Sequence, residues 1–191
     1  MMKNVRFYLI FSGLGVIIIL LSVIPGLRMN PLSDLSGESR AFLPIRTGEV
    51  PKLEIQNFKL IQTTGEKKQW ELEAIDALEY EEGNEIQIKN TNIKFFKNNK
   101  VVLNLKADNG IVDLETKNIR IIGNVEANSS DGLKLKTKSL NWVSADEKLI
   151  TDDNIVFTKG GIRVEGKGLE ADVGLGKLQV KKSARVEVPR K

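Results

Sequence analysis

From Lys52 onward, apolar residues recur every second position with polar or charged neighbours between them. The runs are Leu53 and Ile55; Trp70, Leu72 and Ala74; Leu78 and Tyr80; Ile86 and Ile88; Ile93 and Phe95; and Val101, Leu103, Leu105 and Ala107. A period of two makes each run a β-strand with one dry and one wet face. Turn-forming residues separate the runs at Gly83-Asn84, Asn98-Asn99, Asn109-Gly110, Asp131-Gly132, Asp152-Asp153-Asn154 and Gly160-Gly161. Helical periodicity is absent from this region, and the spacing of the turns predicts an antiparallel sandwich, jelly roll or strand stack.

The amino terminus follows another pattern. Phe7 to Leu27 carries no charge and is flanked by Lys3 and Arg6 before it and Arg28 after it. About 20 apolar residues cross a ~30 Å hydrocarbon layer as a helix. The strongly apolar members supply on the order of −4 to −8 kcal/mol of insertion energy, which outweighs the serines and glycines among them. The segment ends in Ser22-Val23-Ile24-Pro25-Gly26-Leu27, with no small-x-small cleavage site and no lipid-acceptor cysteine. An uncleaved anchor is therefore favoured over a removed signal. The bias of Lys3 and Arg6 places the amino terminus in the cytoplasm and the remainder outside the inner membrane. The organisation expected is a head at 1–6, a transmembrane helix at 7–27, a Pro- and Gly-containing tether at 28–50 and one β domain at 51–191.

A repeat underlies the strand pattern. Ile93, Val125, Ile155 and Val186 recur roughly every 31 residues. The segment Ala107–Asp113 leading to Ile119–Val125 resembles Leu169–Val173 leading to Leu178–Val180 and Val186. Stacked hairpins of this kind bury a continuous apolar seam and leave strand edges at both ends. Gly123, Gly166 and Gly168 fall inside strand-like runs, where glycine marks a bulge or a close backbone approach.

Composition removes several classes of function. The chain has no His and no Cys, which excludes Ser-His and Cys-His nucleophilic pairs, His or thiolate metal sites and disulfides. No phosphate-binding Gly-x-x-x-x-Gly-Lys-Ser/Thr loop occurs, so ATP hydrolysis by this chain is not expected. The acidic pairs Glu81-Glu82, Asp146-Glu147 and Asp152-Asp153 fit turn or wet-face positions better than a catalytic pair. A net charge of +4 is spread among acidic residues rather than clustered with aromatics, against nucleic-acid binding. No cofactor is expected.

The anchor, the tether and several strand segments resemble the LptC family of bitopic lipopolysaccharide-export proteins. The segments are Val125-Glu126-Ala127-Asn128, Gly132–Thr137, Leu140-Asn141-Trp142 and Gly161–Leu169. The resemblance implies an all-β body, an OstA/LptA-like antiparallel β-jellyroll in the periplasm. It would take lipopolysaccharide from the inner-membrane ABC transporter complex (LptB, LptF, LptG) and pass it to the periplasmic bridge protein LptA. An apolar β groove would shelter the acyl chains, since each exposed methylene costs roughly 0.8 kcal/mol in water.

Alternation nominates as groove lining Leu53, Ile55, Trp70, Leu72, Ile86, Ile88, Phe95, Leu103, Leu105, Val112, Ile119, Ile121, Val125, Leu135, Trp142, Ile155, Phe157 and Val164. The same pattern suits plain packed core. The resemblance implies that the first strand, with Leu53, Ile55 and Leu60, meets the transporter, and that the last, with Ala184, Val186 and Val188, meets the bridge. The rival reading is a membrane-tethered structural or adhesion module that binds protein or polysaccharide and carries no lipid.

Overall fold

The computed structural model describes residues 50–80 and 84–188. The expected anchor at 7–27 and almost all of the tether lie outside them. Among the described residues no helix is long and apolar enough to cross a membrane.

Nine long antiparallel strands follow one another: β1 Leu53–Thr64, β2 Lys67–Glu79, β3 Glu85–Lys97, β4 Lys100–Asp113, β5 Ile119–Ser129, β6 Lys134–Val143, β7 Lys148–Lys159, β8 Ile162–Asp172 and β9 Lys177–Glu187. Among the described residues each pairs with its neighbours in sequence, so these nine strands form an up-and-down meander with no crossover between them. The turns include Gly65, Asn98-Asn99, Gly132 and Gly160-Gly161, all with positive φ, which Gly and Asn tolerate best.

A meander has no second sheet to cover its dry face, yet most inward residues are fully buried. The strands solve this by bending at mid-length. Asn57, Asn90, Gly123, Asn124, Gly168 and Ser183 adopt left-handed backbone within strands. The ladder slips there: register shifts occur at Lys106/Asn109, Ile122/Val125, Thr137/Asn141 and Lys167/Leu169. Such bulges sharpen local curvature. Because the bends stand side by side, they form one crease across the sheet, with Asn57, Ile75, Asn90, Asp108, Asn124, Lys138 and Asp152 exposed along its convex side.

The crease folds one half of every strand over the other half, giving two layers made from the same nine strands. Phe95 of β3 and Trp142 of β6 are separated in the sheet by β4 and β5, yet their rings meet edge to face at 4.9 Å. They touch across the interior.

Two sequence-based turn assignments are corrected. Asn109-Gly110 and Asp152-Asp153-Asn154 lie within β4 and β7 at the crease. The same chemistry serves: short polar side chains bond to neighbouring strands and tolerate the altered backbone. Asn124 Nδ2 donates to Asp108 Oδ2 (2.7 Å), Ser139 Oγ donates to Asp153 Oδ2 (2.7 Å), and the Lys181 ammonium reaches Asp152 (2.9 Å). Lys181 passes over Gly168, where a Cβ would stand 3.0 Å from the lysine side chain.

Candidate apolar binding interior

One cluster of buried side chains fills the space between the layers. Of the nominated residues it contains Trp70, Leu72, Ile86, Ile88, Phe95, Leu103, Leu105, Val112, Ile119, Ile121, Val125, Leu135, Trp142, Ile155, Phe157 and Val164. Leu53 and Ile55 are not in it. They are 46% and 37% exposed because β1 ends the sheet and the first half of that strand has little lying over it. Leu133, Leu140, Leu149, Leu169, Leu178 and Val180 belong to the cluster but were not nominated. Their signal was present in two-residue steps such as Leu133-Lys134-Leu135 and Leu178-Gln179-Val180.

The interior is packed shut. Ile93, Phe95 and Leu105 on one layer face Ile121, Leu140 and Trp142 on the other, with no space between them for a water-sized sphere. Truncating such a residue, as in Phe95→Ala, costs about 3–5 kcal/mol in well-packed cores. One polar atom is trapped here: the indole Nε1 of Trp142 is buried and has no hydrogen-bond partner among the described residues.

The inward face continues beyond the closed zone at both ends of the sheet. At β1 it presents Leu53 and Ile55, with Leu60 half-buried. At β9 it presents Val186 and Val188, 42% and 65% exposed, with Ala184 half-buried. The partner-edge nominees are therefore the places where the apolar lining is uncovered.

Where the two rows of turns face each other, a cavity of about 430 Å³ opens above the packed zone. Phe95 and Trp142 line it together with Lys67, Lys68, Phe96 and Lys97 from one layer and Glu147, Asp172 and Val173 from the other. On the outer face of β1 and β2, charged side chains pair across the strands. Glu71 is held by Lys68 (2.7 Å) and Lys59 (2.9 Å), which keep its carboxyl near a pKa of about 2. Among the described residues no three His, Cys, Asp or Glu side chains gather as a metal site would require.

A family profile described as "Lipopolysaccharide-assembly, LptC-related" matches residues 17–188, a span that includes all nine strands. The chain belongs to the LptC family. No individual curated protein matched it. Membership makes this a protein of lipopolysaccharide transport rather than an enzyme. Nothing else among the described residues gathers so much apolar side chain as this interior.

Proposed function

We propose that this protein carries lipopolysaccharide from the inner membrane toward the outer membrane. In this reading it takes the lipid from the ATP-driven LptB, LptF and LptG complex and passes it to LptA, holding the acyl chains between its two layers. Residues 7–27 anchor it in the inner membrane with the amino terminus cytoplasmic, and the β domain works in the periplasm. The supporting observation is the unbroken apolar interior, to which β2 through β9 all contribute and which surfaces at both ends of the sheet. The polar groups buried on the inward side along that path include the hydroxyls of Thr91 and Thr151, while sugars and phosphates stay in solvent, where their hydration is kept.

The closed packing requires that the layers part when lipid loads. It also favours a second reading, a tethered structural or adhesion module in which the interior is core and nothing more. Photocrosslinking from Phe95, Trp142 and Phe157 in cells separates the two. Capture of lipopolysaccharide from these inward positions, with surface controls silent, supports carriage; silence at all three supports the module.

A further inference from the structure

The two layers meet along two margins of opposite character. At the crease they are joined by continuous backbone and pinned by the Asn124–Asp108, Ser139–Asp153 and Lys181–Asp152 contacts. At the other margin only turns face each other, and no part of the sheet's hydrogen-bond ladder crosses it. Parting the layers there breaks side-chain contacts alone. Peeling strands apart would instead break paired backbone groups that cost free energy when left unmet.

The cavity lies on this weaker margin, and its walls differ in chemistry. Lys67 and Lys97 stand on one lip, whereas the Lys68 ammonium is already bonded to Glu71. Glu147 and Asp172 stand on the other, and Asp172 is occupied in accepting the Gly176 amide (2.8 Å). Below the lips Phe95 and Trp142 close the way to the interior. The unpartnered indole N–H is in this closing pair, so the shut state leaves a donor unsatisfied that an incoming oxygen acceptor would satisfy.

We infer that this slot is the entrance for lipid, with the Phe95–Trp142 pair as its door and the crease as its hinge. The inference rests on the lipopolysaccharide reading and adds the route. The ligand it fits is an acylated, anionic amphiphile. Its hydrocarbon passes between the two rings, an ester or amide oxygen accepts from the Trp142 indole, and its phosphate lies against Lys67 and Lys97.

The absence of native cysteine makes a direct test clean. Gln69→Cys and Val173→Cys, which line the slot from opposite lips of the full-length chain, are joined by a thiol cross-linker that contains a cleavable disulfide. A photoreactive residue at Phe157 then reports lipopolysaccharide reaching the interior. Bridging the slot should abolish capture, and cleaving the linker in the same molecules should restore it. A bridge between Lys138→Cys and Asn154→Cys, both exposed on the crease, should leave capture intact. Equal capture with the slot bridged and cleaved overturns the entrance and leaves the transport reading standing. No capture in any form, the unbridged chain included, overturns both.

Discussion

Glu71 shows how a single outward residue ties neighbouring strands together. Its carboxylate is nearly buried on the outer face of β2, held by Lys68 on its own strand and Lys59 on β1. These partners lower its pKa from 4.5 to about 2. A carboxyl whose folded pKa is depressed contributes its full stabilisation above the unfolded value and loses it as the pH falls toward the folded one. Glu71→Gln should therefore cost about 1 kcal/mol at neutral pH, the lysines being partly exposed and screened. It should also flatten the acid-induced loss of stability between pH 4.5 and 2, which denaturant midpoints at several pH values will show. Gly166 makes the opposite point inside the sheet. A Cβ there would stand 2.4 Å from Val180 Cγ1, a branched side chain with no flexible end to move aside. Gly166→Ala should destabilise by about 1–3 kcal/mol, and Gly166→Ala with Val180→Ala should recover part of the loss. If the double variant is as unstable as the single ones added together, the clash is not the cause.

At the level of elements, β9 divides its work between its halves. Leu178 and Val180 are core, while Val186 and Val188 display the same inward face to solvent. Val186→Asp should change stability by less than about 0.5 kcal/mol yet weaken pull-down of the bridge protein. Deleting residues 184–191 should do the same and leave the transporter complex assembled; an undiminished pull-down would count against the β9 edge as the contact. The strands were legible in the sequence because alternation reports a dry face directly. The crease was written there too, as a break in phase. The apolar residues of the interior cluster run Ile86, Ile88, then Ile93, Phe95, and again Leu103, Leu105, Ala107, then Val112. In each case an odd step moves the dry side across the bend. Asn109-Gly110 and Asp152–Asn154 read as turns because the residues that end strands also bend them. The exposure of Leu53 and Ile55 was not legible, since alternation says which way a side chain points and not whether another layer covers it.

For the whole molecule, the shared strands make the two layers one cooperative body. Trp70 of β2 lies in the layer that includes Phe95 and Trp142 of β6 in the other, and both tryptophans belong to the same cluster. Trp70→Phe and Trp142→Phe variants, each read through the remaining tryptophan and compared with circular dichroism, should each give one denaturant transition in which the two signals coincide. An early loss of the Trp70 signal would mean that the sheet unzips from its β1 end. The crease carries one more implication. A tenth strand set beside β9 lengthens both walls together only if it turns the same corner halfway along its length. A straight newcomer would continue one wall and leave the other short, so a suitable neighbour is chosen by the shape of its main chain before any side chain is read.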